Sequence, residues 1–148
     1  MANSSGLLYG TAGNHEASPT NAFPPTAVGS QSQWVYDTLS AAWARWVGAP
    51  AASQTKIAGT YSVMYAESKL RIISLNTNMY YIQNYWLYEK TMERDPSEQL
   101  EWLVGELDAA ERAGERVYLM GHMPLGLPDA FHDGSNYFDQ VRLDPVVL

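Results

Sequence analysis

Apolar residues at Val35, Leu39, Ala42, Trp43 and Trp46 recur at the spacing that lays a stripe along one helix face, which predicts a helix over 34–47 packed against a sheet. The tryptophans Trp34, Trp43 and Trp46 are read as core. Further on, Tyr61, Val63 and Tyr65 alternate within Ile57–Tyr65, and Leu70–Leu75 is almost continuously apolar; with the polar turn at Glu67-Ser68-Lys69 between them, the two stretches read as a β-hairpin. The best-marked helix starts at Asp95, where Asp95 is a candidate cap, Pro96 suits the first position and Glu98 completes a capping box. Its stripe is Leu100, Leu103, Val104, Leu107 and Ala110, and Gly114 is a left-handed terminator. A buried strand over 116–120 follows.

Between these elements lie two unpatterned stretches. Residues 17–33 are rich in Ser, Pro, Thr and Asn around Phe23-Pro24-Pro25 and read as an extended loop of the kind that usually serves function. Residues 76–94 place Met79, Tyr80, Tyr81, Tyr85, Trp86 and Tyr88 among Asn and Gln without a clean period: a surface lid or satellite core, with aromatic faces that would suit a quaternary ammonium group. Leu7-Leu8-Tyr9-Gly10 reads as the end of another strand, and 125–135 is a Gly/Pro-rich loop. A hairpin, a helix and a strand in this order make an α/β domain, one domain over 1–148.

Composition narrows the chemistry. A formal charge of −7 without clustered Lys or Arg argues against nucleic acid or an anionic membrane surface as partner. With no Cys, a metal would have to be held by imidazole, carboxylate or amide oxygen. No run approaches the roughly 20 apolar residues of a membrane span, and no signal peptide is legible at the N-terminus. Asn3-Ser4-Ser5 is a glycosylation sequon that decides nothing alone.

Two short strings carry the chemistry. Gly13-Asn14-His15-Glu16 and Gly121-His122-Met123-Pro124 each follow a predicted strand, so their side chains stand on loops at a sheet edge. The Asn14 oxygen and the His122 imidazole are candidate metal ligands, His15 a candidate leaving-group acid, and Glu16 a carboxylate that could orient the His15 ring. The combination points to metal-assisted hydrolysis. His132, beside Asp133, reads as a solvated loop histidine.

These strings, with Asn21-Ala22-Phe23-Pro24-Pro25, Ile73-Ser74-Leu75-Asn76-Thr77-Asn78, Gln99-Leu100-Glu101-Trp102-Leu103 and Asn136-Tyr137-Phe138, resemble in order and spacing the acid sphingomyelinase-like phosphodiesterases of the calcineurin-like metallophosphoesterase superfamily. The resemblance implies a two-layer β sandwich flanked by helices, two zinc ions at the strand ends, and hydrolysis of a phosphodiester, sphingomyelin to ceramide and phosphocholine. It implies Asn14 and His122 as metal ligands, His15 as general acid, a sphingolipid substrate, and an extracellular or lysosome-like setting. The Asp-x-His, the bridging Asp and the Gly-His-x-His of that pattern are not found in this sequence, so the chain is expected to be a central piece of the domain, truncated at both ends and catalytically weak alone. The rival readings are a calcineurin-like phosphatase acting on monoesters or nucleotides, and a non-catalytic remnant or interaction module.

Overall fold

The polar Glu67-Ser68-Lys69 stretch does reverse the chain: strand β1 (Tyr61–Tyr65) and strand β2 (Leu70–Ser74) pair antiparallel, Tyr61 opposite Ser74 and Tyr65 opposite Leu70, with Lys69 in the left-handed conformation at the corner. The computed structural model describes residues 6–88 and 95–124. Beside β2 runs strand β3 (Arg116–Met120), parallel and in register from Leu70–Arg116 to Ser74–Met120, so the sheet order is β1-β2-β3. A parallel neighbour requires a crossover, and helix α3 (Gln99–Ala113) supplies it. Arg71 on β2 ties that crossover down by pairing with Glu106 of α3 and, at 2.7 Å, with Glu115 just before β3.

On the N-terminal side, helix α1 (Gln33–Val47) buries Val35, Tyr36, Ser40, Trp43 and Val47. Trp34 departs from the core reading: it is 51% exposed, because the buried face is rotated toward Tyr36 and Ser40 by a second helix packed alongside. That helix, α2 (Ala49–Ala58), takes Ile57 away from the predicted strand and leaves its side chain exposed. Pro50 in its first turn, a run of alanines and the left-handed Gly59 at its end account for it. Its small residues Ala51 and Ala52 pack with Trp43, Val47 and Tyr61, and Trp43 meets Tyr61 edge-on at a centroid distance of 5.9 Å.

A second cluster joins Phe23, Val35, Tyr36, Met79, Tyr80, Tyr81 and Met123, so the front half of the aromatic segment is satellite core while Tyr85 and Tyr88 are exposed. The start of α3 also differs from the expected capping box. Ser97 and Glu98 have positive φ in a short 3-10 turn, and the Asp95 carboxylate instead accepts hydrogen bonds from the amides of Leu100 and Glu101 at 2.8–2.9 Å. Gly114 closes the helix in the left-handed conformation as expected.

Three further expectations change. Leu7–Gly10 forms no strand; its carbonyl at Gly10 is taken by the side chains of Tyr61 and Ser74 rather than by a ladder. β3 is not buried: Val117, Tyr118 and Leu119 are exposed, as are Val104 and Leu107 of α3. Among the described residues the β structure is one three-stranded sheet, an α/β arrangement consistent with part of a phosphoesterase-like domain. His132, the 125–135 loop, the Asn136-Tyr137-Phe138 segment and the Asn3 sequon lie outside the described residues.

Candidate metal centre

Because β2 and β3 are parallel and end together at Ser74 and Met120, the segments that leave them emerge at one end of the sheet, where ligands of open α/β sheets bind. Leu75 donates its amide to Met120 O at 2.9 Å, and Met123 donates its amide to Thr77 Oγ1 at 2.7 Å, which bends the Gly121-His122-Met123 segment back over the 75–78 segment. Gly121 is required for this approach: a Cβ there would stand 2.6 Å from Thr77 Cγ2.

The first motif reaches the same place from the other side. Thr11 Oγ1 donates to Leu75 O at 3.1 Å, and Asn78 Nδ2 donates to Ala12 O at 2.9 Å, so residues 11–12 are pinned across the sheet end and deliver the Gly13-Asn14-His15-Glu16 turn to it. The loop that follows is held by buried Asn84, whose Nδ2 donates to Phe23 O at 2.8 Å and whose Oδ1 accepts from Phe23 N at 3.3 Å. Burial pushes the Tyr36 hydroxyl well above the usual phenol range beside Asn76, itself bonded to Ala58 O at 3.0 Å.

The outcome is a contact between residues 108 apart in sequence: Asn14 Oδ1 and His122 Nε2 are 2.9 Å from each other. Gly13 lies against both motifs: a Cβ there would rest 3.4 Å from His122 Cε1 and Nε2, ordinary contact, and 2.6 Å from Glu16 Oε2, the far end of an exposed side chain. The donor set fits a divalent cation. Two atoms each about 2.0–2.1 Å from one zinc ion are separated by about 2.8–3.0 Å at a right angle and about 3.3–3.4 Å at the tetrahedral angle, so the 2.9 Å here already matches the first and the second needs the pair to open by about 0.4 Å. Both atoms bind through lone pairs, so a cation would take the place of the proton now shared between them.

The other predicted residues are placed differently. His15 is exposed in the turn after Asn14, open to a substrate. Glu16 turns its carboxylate toward Gly13, on the His122 side, and no hydrogen bond joins it to the His15 ring among the described residues; the orienting contact expected for it is not made. No group of three or more His, Cys, Asp or Glu is gathered among the described residues.

No protein-family model matches the chain. Individual proteins do. It is 43% identical over 121 residues to a Bos taurus protein named sphingomyelin phosphodiesterase, covering 80% of this chain and 19% of that protein. The chain belongs to the sphingomyelin phosphodiesterase-like family. It is also 36% identical to sphingomyelin phosphodiesterase B of Dictyostelium discoideum, over 98% of this chain and 22% of that protein. With the cyclic GMP-AMP phosphodiesterase SMPDL3A of Mus musculus it shares 37% identity over 93% of this chain and 30% of that protein. The chain thus spans about a fifth to a third of the length of these curated relatives.

Two further residues of this sphingomyelin phosphodiesterase-like chain join the site. Asn21 accepts a hydrogen bond from Asn14 Nδ2 at 2.8 Å, and Thr77 holds the His122 loop. Their signal in sequence is slight: Asn21 precedes a Pro-rich stretch, and Thr77 lies in the asparagine-dense 76–78 segment. No helix among the described residues is long and apolar enough to cross a membrane.

Proposed function

We propose that this chain supplies part of the metal site of a phosphodiesterase that hydrolyses sphingomyelin to ceramide and phosphocholine. The observation that carries the reading is the convergence of Asn14 Oδ1 and His122 Nε2 to 2.9 Å at the carboxyl end of the parallel strands. The relatives named sphingomyelin phosphodiesterase support the substrate. In this reading Asn14 and His122 hold one of two zinc ions, and further ligands come from outside the described residues. When bound, the metal supplies Lewis-acid polarisation of the phosphoryl oxygens. His15, exposed and adjacent to Asn14, protonates the departing oxygen of the ester, while the rigid 11–14 and 121–123 segments fix where the phosphoryl group sits.

The test uses the longest protein that carries this chain. Zinc content after dialysis, with hydrolysis of sphingomyelin vesicles, should give two ions per molecule and turnover. Asn14→Ala and His122→Ala should lose metal, whereas His15→Ala should keep metal and lose turnover by about 10²–10⁴-fold. Full turnover in His15→Ala, or no bound metal in the parent, overturns the reading; the latter favours a non-catalytic module.

The cyclic GMP-AMP phosphodiesterase SMPDL3A relative favours a second reading, a nucleotide phosphodiester at the same site. Faster turnover of a cyclic dinucleotide than of sphingomyelin selects it.

A further inference from the structure

A carboxamide is nearly symmetrical in shape but not in chemistry: its oxygen can face a cation and its NH2 cannot. Asn14 can serve as a ligand only if something decides which end points at His122. In the structure the decision is made by Asn21. Asn14 Nδ2 donates to Asn21 Oδ1 at 2.8 Å, Asn21 Nδ2 in turn reaches Gln83 Oε1 at 3.5 Å, and the free end of the row is the Asn14 oxygen, 2.9 Å from His122 Nε2. With the Asn21 NH2 held toward Gln83 Oε1, turning the Asn14 amide over would set its oxygen against the Asn21 oxygen, two acceptors with no hydrogen between them. It would also offer an NH2 where the cation belongs.

The backbone reinforces the arrangement. Asn21 N donates to Asn14 O at 2.9 Å, so the 14–21 loop is closed by main chain and side chain together. Asn21 sits at φ 69°, a left-handed conformation in which Asn and Gly are tolerated and branched residues are not. Residue 21 therefore has to satisfy two demands, a positive φ and a side-chain acceptor. Asn and Asp meet both.

We infer that Asn21 is a positioning residue for the cation site: it holds the Asn14 amide with its oxygen toward His122 and thereby raises divalent-metal affinity. The inference rests on Asn14 and His122 being ligands. Asn21→Gly keeps the positive φ and removes the acceptor; Asn21→Asp keeps both. The first readout needs no metal: solvent exchange of the Asn14 side-chain NH2, followed by NMR in the 148-residue chain, is expected to speed up in Asn21→Gly and to stay slow in Asn21→Asp. The second is Zn2+ affinity by calorimetry, expected to fall about 10–100-fold in Asn21→Gly and to stay at or above the parent value in Asn21→Asp. Thermal unfolding of each variant reports whether the fold persists, and should Asn21→Gly fail to fold, Asn21→Ser, whose side chain is too short to reach Asn14, takes its place. Exchange and affinity both within twofold of the parent in Asn21→Gly overturn the inference, as does an Asn21→Asp variant as weak as Asn21→Gly. Zinc binding by Asn14→Ala as tight as the parent overturns the ligand reading instead, and the metal-free exchange rates still judge the orienting contact.

Discussion

Gly121→Ala should separate the two halves of the candidate metal site. The added Cβ would stand 2.6 Å from Thr77 Cγ2, whereas nonbonded carbons rest at about 3.5–4.0 Å, so something has to withdraw by about 1 Å. Thr77 cannot readily move: it is 6% exposed, sits in a 3-10 turn, and its hydroxyl accepts the Met123 amide at 2.7 Å. The displacement therefore falls on the 121–123 segment and carries His122 away from Asn14. Overpacking of this kind costs about 1–3 kcal/mol of stability, and a shift of about 1 Å exceeds the roughly 0.2 Å tolerance of ligand distances several-fold. Urea unfolding of the 148-residue chain and Zn2+ calorimetry on the longest protein that carries it measure the two consequences. Gly105→Ala is the control, since nothing lies within 4 Å of its added Cβ on the exposed side of α3. If Gly121→Ala unfolds within about 0.5 kcal/mol of the parent, the span of an unstrained surface substitution, and binds Zn2+ unchanged, the close packing of Gly121 on Thr77 does not position His122.

The control carries its own expectation: Gly105→Ala should stabilise the chain by about 0.5–1 kcal/mol, because Gly in a helix interior is entropically costly, and a destabilisation in the same urea titration would contradict the open environment. Asn84→Leu should cost about 2 kcal/mol by thermal or urea unfolding, since it strands the buried carbonyl of Phe23 that Nδ2 now satisfies at 2.8 Å, while the Asn78 carbonyl keeps the Tyr81 amide; a loss under about 0.5 kcal/mol would count against the network. Tyr61 gives a pH dependence. Burial, with a smaller contribution from Tyr9, raises its hydroxyl from 10.0 in the free side chain to about 12. Between those values the unfolded chain holds fewer protons than the native one, so stability is fully present below pH 10 and declines as pH rises toward 12. Tyr61→Phe should lose about 0.5–1.5 kcal/mol at pH 8 with the hydrogen bond to Gly10 O, and its stability should fall less steeply across the alkaline range; an unchanged slope in urea unfolding at pH 8, 10 and 11.5 would refute the assignment.

Local signals in the chain were sound where the physics is local. The hairpin follows from alternation and a polar turn, α1 and α3 from their apolar period and the Gly114 terminator, and β3 from a short apolar run after a turn. Helix α2 leaves little mark in the pattern because an Ala, Ser and Thr segment carries little hydrophobic period, and its helicity is settled by packing of Ala51 and Ala52 on Trp43 and Tyr61. The capping box failed for a similar reason: Gln99 is drawn into the core, where its Oε1 accepts the Asn76 amide at 2.7 Å, and the turn before it is bent to suit.

By itself the sequence determined which residue types carry the candidate chemistry: an amide and an imidazole, each preceded by a glycine. It also determined membership of the family, since side-chain identity in order is what relatives share. Only the tertiary structure decided that Asn14 and His122 meet, that Asn21 turns the Asn14 oxygen toward His122, and that Glu16 faces Gly13 rather than the His15 ring. Periodicity reports a residue's immediate neighbours along a helix or strand. A contact across 108 residues depends on two parallel strands ending at one level and on buried amides holding the loops between them, and no spacing within either motif encodes that.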